Sequence, residues 1–346
     1  MSSILKKTDL GAWAAALEAE VFAPALADGV WAYQPVAPGA DDGGVALTHP
    51  NTARPPKNFA FPQREVLYTF DQLKGQAPNL TETLPNPAPV VVMGVRPCDG
   101  RGAPRNDMVF TGAFDDPYYQ SRRAKTAYVG LACNTPPSPN CFCKAVGGSP
   151  SSKEGLDVQL TDLGDRYHVV AVTPRGEELI EAGGKLFAEA GAADEKESQR
   201  LHSEAAKCEQ RTFGDLAAAA PALKKNFDSE MWQSLAKACI GCGICTFLCP
   251  TCHCFDISDE VTGQSPMRGE RVRTWDNCQF PDFTMHSSGH NPRETLGARL
   301  RQRVNHKFLY FVENNGTQQC TGCGRCISFC PVGIDIVAVL DRMIQA

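Results

Sequence analysis

No stretch of the sequence approaches the ~20 consecutive apolar residues that span a bilayer. The opening residues, MSSILKKTDLGAWAAALEAE, carry neither the apolar core of a secretory signal nor a twin arginine. A cytoplasmic protein is therefore expected, without direct membrane insertion. A strong charge excess is missing too: the formal net charge is -5, which disfavours a general nucleic-acid binder. Neither G-x-G-x-x-G after a strand nor G-x-x-x-x-G-K-[ST] occurs. No flavin or nicotinamide is expected on this chain.

What the sequence has is cysteine, 16 in 346 residues. In a short secreted chain this would suggest disulfides, but in a long chain with ligand-like spacings it suggests metal. CIGCGICTFLCP (Cys239 to Pro250) and CTGCGRCISFCP (Cys320 to Pro331) both follow C-x2-C-x2-C-x3-C-P, the ligand run of a [4Fe–4S] cluster. Soft thiolates suit iron–sulfur or zinc rather than calcium or magnesium. Zinc ribbons separate their C-x2-C pairs, whereas three cysteines here crowd one loop and can wrap three corners of a cube. In two-cluster proteins the fourth cysteine crosses to the other cluster. The expected ligands are Cys239, Cys242, Cys245 and Cys330 for cluster one, and Cys320, Cys323, Cys326 and Cys249 for cluster two. Gly241, Gly243, Gly322 and Gly324 permit the tight turns, and Pro250 and Pro331 end them. Structural zinc or disulfides are the competing reading, disfavoured by two complete copies of one spacing.

Cys98, Cys133, Cys141 and Cys143 form a second group. Two follow predicted strand ends, where α/β folds place ligands, so a third [4Fe–4S] cluster is a candidate. Buried free cysteines and a structural zinc are the alternatives. Cys252, Cys254 and Cys278 read as packing or hydrogen-bonding neighbours of a cluster, with an exchanged ligand set as the alternative. Cys208 receives no role. Arg268, Arg271, Arg273, Arg293, Arg299, Arg301, Arg303 and Lys307 are expected to divide between stabilising reduced clusters and meeting an acidic partner.

The fold class expected is α+β, with an N-terminal α/β domain followed by a mainly helical, ferredoxin-like two-[4Fe–4S] domain carrying a long insertion. Residues 1–56 read as helix and loop, with Asp9 capping a helix over 9–22 through Trp13, Leu17 and Val21, then a Pro/Gly/Asp-rich loop over 37–56. Residues 57–190 read as the α/β domain, with strands at 90–95, 126–131 and 167–172. Residues 191–225 read as a charged helical linker, and 226–346 as the dicluster domain with an insertion at 255–315. In that insertion Asn291 is the expected cap of a basic helix, followed by Pro292 and Glu294. Asp335 is the expected cap of the last helix, whose apolar face carries Ile336, Val339, Leu340 and Met343.

Several segments together resemble a known family: KNFAFPQREVLYTF, MGVRPCDG, DDPYYQSRR, ACNTPPSPNCFC, CPTCHCFD, TWDNCQF, SGHNPRETLGARLRQRVNHKF and the two ligand runs. It is the iron–sulfur family that joins sulfhydrogenase beta subunits with the A-type iron–sulfur subunits of anaerobic sulfite reductases. Related subunits occur in flavin oxidoreductase complexes that feed heterodisulfide reductases. The resemblance runs from about Lys57 to the C-terminus. It implies an electron-transfer subunit without substrate chemistry of its own. The implied partners are a hydrogenase, sulfite reductase or heterodisulfide reductase-type subunit, together with one that binds FAD and NAD(P). Family members can carry a cysteine near position 137, where this chain has Pro137, so ligands of a third cluster do not transfer one for one. An independent alternative is a reductase with its own small-molecule site near Cys98, at a strand end.

Overall fold

The computed structural model describes residues 2–36, 45, 47–112 and 114–346. Twelve strands appear among them: β1 (Ser2–Lys6), β2 (Glu20–Ala27), β3 (Val30–Pro35), β4 (Arg64–Gln72), β5 (Asn79–Glu82), β6 (Val90–Val95), β7 (Thr126–Leu131), β8 (Val158–Asp162), β9 (Arg166–Ala171), β10 (Phe187–Glu189), β11 (Phe255–Gln264) and β12 (Met267–Trp275). Eight form one sheet in the order β10-β1-β9-β8-β7-β6-β2-β3. Its middle is parallel, from β2 through β6 and β7 to β8, and its flanks are antiparallel. The β-branched run of β6 and the wholly buried β7 have the composition that a strand covered on both faces requires. One face packs Leu5, Trp13, Met93, Val129, Val158 and Leu160; the other packs Val92, Val95, Tyr128 and Leu156.

The first 36 residues depart from the expected helix and loop. The helix covers only Leu10–Ala16, and Asp9 makes no side-chain cap. Leu17 is already extended, and Val21 lies in β2, hydrogen-bonded beside β6. Short strands with distant partners leave little local signal, so β1, β2 and β3 were legible only through the sheet they join. The expected loop over 37–56 lies partly outside the described residues; within it, Val45 and Leu47 are buried in the sheet's core.

The expected charged linker contains the helix Ala192–Lys207, which lies against the sheet, with His202 Nε2 2.9 Å from Thr161 Oγ1. A second core unites Phe142, Phe213, Trp232, Leu300, Phe308, Leu340 and Met343. Fully burying such side chains stabilises by ~1.5–3 kcal/mol each. The last helix, Ile336–Gln345, is capped as expected, with the Asp335 carboxylate accepting from the amides of Val337 and Ala338.

The insertion holds an unexpected hairpin, β11–β12, which joins β4 and β5 in a four-stranded sheet ordered β11-β12-β4-β5. Arg271 pairs with Asp259 across the hairpin, and buried Arg273 pairs with Glu65 and Asp116. The basic helix begins later than expected. Thr295, not Asn291, caps Leu296–Asn305, accepting from the Ala298 amide. Asn291 instead closes a turn, donating to Pro281 O and accepting from Thr284 and the Arg293 amide. Past Asn305 the helix widens into a π-turn over His306–Tyr310. No helix among the described residues is long and apolar enough to cross a membrane.

Candidate metal centres

The two cysteine runs fold alike. Gly241, Gly243, Gly322 and Gly324 all take positive φ, between 66° and 77°, where a side chain is strained and glycine is not. Gly243 and Gly324 each start a one-turn helix, Ile244–Phe247 and Arg325–Ser328. Cys239, Cys242, Cys245 and Cys330 line one cavity together with Cys326, Arg303, Gln279 and several aliphatic side chains. The Gly241 amide donates to Cys239 Sγ at 3.4 Å and the Ile334 amide to Cys330 Sγ at 3.1 Å. Convergent thiols, apolar walls and amide donors fit an iron–sulfur cluster.

Cys320, Cys323 and Cys326 are electrostatic neighbours of Cys249. Burial pushes the Cys320 thiol up to about 12. Such thiols become anionic only when a metal displaces their protons. Cys249 is the exception: a hydrogen bond from Cys252 holds it well below the usual thiol range despite burial, helped by Lys307 and Arg303.

Cys98, Cys133, Cys141 and Cys143 also line one cavity, with Pro97, Pro137, Gln210 and Gly322. Cys98 follows β6 and Cys133 follows β7, and burial raises Cys133 to about 11 and Cys141 to about 12. This site abuts the second run: Cys98, Cys143 and Cys323 are in contact. The Phe142 amide donates to Gly322 O at 2.9 Å. A Cβ on Gly322 would lie 2.5 Å from Cys143 Cα, so only glycine fits there.

Residues that the sequence did not single out lock the halves together. Arg325, between Gly324 and Cys326, makes a bidentate pair with Asp99, at 2.5 and 2.7 Å, and donates through Nε to Thr52 O at 2.6 Å. Both side chains are buried. Asn51 donates to Cys323 O, Arg105 to Gln318 O and Asn106 to Pro250 O. The only sequence signal was position, since Asp99 follows Cys98 and Arg325 precedes Cys326.

The basic segment divides. Arg271, Arg273 and Arg301 pair with carboxylates, and Arg299 donates to the carbonyls of residues 293 and 294. Arg303 and Lys307 turn inward. Burial works to lower the Arg303 pKa, but Cys245, Cys252, Cys326 and Cys249 together raise it well above normal. Arg303 donates to Cys252 Sγ at 3.5 Å, and the π-turn carries Lys307 to Thr251 Oγ1 at 3.2 Å. Lys57 Nζ donates to Cys252 O at 2.8 Å. Cys278 accepts from Gln279 and lies by Thr246, and a hydrogen bond from Cys254 lowers it to about 5. Cys208 ends the helix Ala192–Lys207, and its carbonyl accepts from Lys144.

A model for a 4Fe-4S dicluster domain matches residues 238–334, which contain both cysteine runs. Sulfhydrogenase 2 subunit beta of Pyrococcus furiosus is 32% identical over 299 residues, covering 86% of this chain and 85% of that protein. That alignment extends well beyond the dicluster domain. The chain therefore belongs to the iron–sulfur family of sulfhydrogenase beta-type subunits, electron-transfer subunits of oxidoreductases.

Proposed function

We propose that this chain relays single electrons between a flavin- and NAD(P)-binding partner and a catalytic partner of hydrogenase, sulfite reductase or heterodisulfide reductase type. The carriers are cluster one on Cys239, Cys242, Cys245 and Cys330, cluster two on Cys320, Cys323, Cys326 and Cys249, and a third [4Fe–4S] centre on Cys98, Cys133, Cys141 and Cys143. The observation that carries this reading is the contact of Cys323 with Cys98 and Cys143, which, with Cys326 lining the cavity of the first set, supports a row of three thiol sets. At one end lies Cys242, the one exposed cysteine among the described residues, where a partner can approach.

A bound [4Fe–4S] centre supplies one-electron redox chemistry. The chain's own residues set the conditions. The Gly241 and Ile334 amides and the buried Arg303 and Lys307 offset the negative charge of the thiolates and favour the reduced state. The buried Asp99–Arg325 pair ties the turn that carries Cys98 to the short helix that carries Cys326. Hydride carriers deliver electrons in pairs, so splitting them falls to the partner's flavin. The reductase alternative near Cys98 has weaker support: among the described residues, thiols are the cavity's only titratable lining groups, and they offer no acid–base pair.

The test is anaerobic reduction of the iron-loaded chain by NAD(P)H, read by EPR, with and without the flavin-bearing partner. Signals arise only with the partner. Reduction by NAD(P)H without any flavoprotein would overturn this division of labour.

A further inference from the structure

Three cysteines stand outside the three four-thiol sets and yet adjoin them. Cys252 is engaged by Arg303 and faces Cys249. Cys254 and Cys278 face each other. The hairpin brings them together: Cys254 directly precedes β11 and Cys278 follows β12 by three residues. Phe255 is paired opposite Trp275, and the Asp276 amide donates to Cys254 O at 2.9 Å. That register holds the two backbones side by side at the base of the hairpin and makes Cys254 and Cys278 neighbours. Cys278 Sγ also accepts from Gln279 Nε2 at 3.4 Å and lies 3.7 Å from Thr246 Oγ1. Thr246 follows Cys245 in sequence, and Cys245 is an electrostatic neighbour of Cys278. Cys278 is buried, whereas Cys254 is half-buried and reached by solvent.

Three free thiols are one short of a cubane ligand set, and Cys252 is turned toward Cys249 rather than toward the pair. We propose that Cys254 and Cys278 form a dithiol–disulfide couple that exchanges two electrons with the adjoining iron–sulfur centre at Cys245. This rests on the electron-relay reading above. In the reductive direction the S–S bond breaks and two electrons enter one at a time from the reduced cluster. Two protons enter from the solvent side of Cys254, and both sulfurs end as thiols. The reverse step forms the S–S bond, releases two protons and returns two electrons to oxidised clusters. The couple would let a one-electron relay hold a pair of electrons for a two-electron reaction in a partner.

The experiment uses the full iron-loaded chain, poised anaerobically with mediator dyes at oxidising or reducing potential. Samples are quenched in denaturant, alkylated with light iodoacetamide, reduced, and alkylated again with heavy reagent. Cys254 and Cys278 carry heavy label in the oxidised sample and light label in the reduced one. Dithionite titration of Cys254→Ser and Cys278→Ser takes up two electrons per chain fewer than the parent, at unchanged iron content. Light label on both cysteines in the oxidised parent overturns the proposal, and that result needs no variant to fold. Loss of about four iron in either variant also overturns it, by making the residue a cluster ligand. Failure of the relay reading is separable: clusters that the flavoprotein partner cannot reduce would leave the dithionite difference intact.

Discussion

Replacing Asp99 by asparagine leaves the Arg325 guanidinium buried without its carboxylate. In the native protein two charge-assisted bonds of 2.5 and 2.7 Å join these side chains, and neither reaches solvent. Removing one partner of a buried pair costs ~3–5 kcal/mol, because the remaining charge is uncompensated. An unfolding entropy of about 2.1 cal/mol/K per residue makes each kcal/mol worth roughly 1.4 °C in a chain this long. Asp99→Asn should therefore lower the melting temperature by about 4–7 °C. Arg325→Met should do the same. Combining Asp99→Leu with Arg325→Met should recover most of the loss, since apolar replacement of a buried pair removes its desolvation cost. The assay is calorimetry on anaerobic protein at matched iron content and fixed scan rate. A fall below about 1 °C in Asp99→Asn, or a double variant no better than either single, would refute the argument that the paired charges join the halves.

Three further outcomes follow from the geometry. If the runs exchange their fourth ligands, Cys330→Ala and Cys245→Ala remove the same EPR signal and about four iron each, while Cys249→Ala removes the other; loss of the signal shared with Cys320 in Cys330→Ala would show uncrossed ligation. Gly322→Ala places a Cβ 2.5 Å from Cys143 Cα at a φ of 71°, so thermal melting should report a loss of more than ~1 kcal/mol, and an unchanged midpoint would contradict the close approach. Burial first, and then nearby positive charge, lowers His306 to about 3 and His253 to about 4. These histidines stay neutral in the fold while the unfolded chain takes up protons below ~6.5, so their contribution to stability is full above that pH and is lost as pH falls toward 4. Melting between pH 7 and 5.5 should show a falling midpoint, with His306→Gln flattening the slope by about one proton; a flat parent profile would rule this out.

How legible each part was follows from where its information lies. The 90–95 and 126–131 strands are β-branched or apolar runs buried on both faces, so composition alone marks them. Asp335 stood out because a lone acid precedes an apolar helical stripe. The cysteine runs were legible because cluster ligation forces fixed spacing within a few residues. The hairpin was hidden because every residue of β11 except Gly263 is exposed, which erases the alternation that marks a strand. Its pairing depends on charges far apart in sequence, such as Arg64 with Glu260 and Glu270. Asn291 does not cap the basic helix because its side chain is held by residues 281 and 284, which leaves the cap to Thr295, four residues on. Likewise, the meeting of Cys98, Cys133, Cys141 and Cys143 depends on β6 and β7 being parallel neighbours, which no local spacing records.

The most direct test of the relay is the iron and acid-labile sulfide content of the anaerobically purified chain, measured together with Cys98→Ser. Three centres in a row predict about twelve iron and twelve sulfide per chain, falling by about four of each in the variant. About eight of each in both proteins would end the row at cluster two and contradict a third centre in the α/β half.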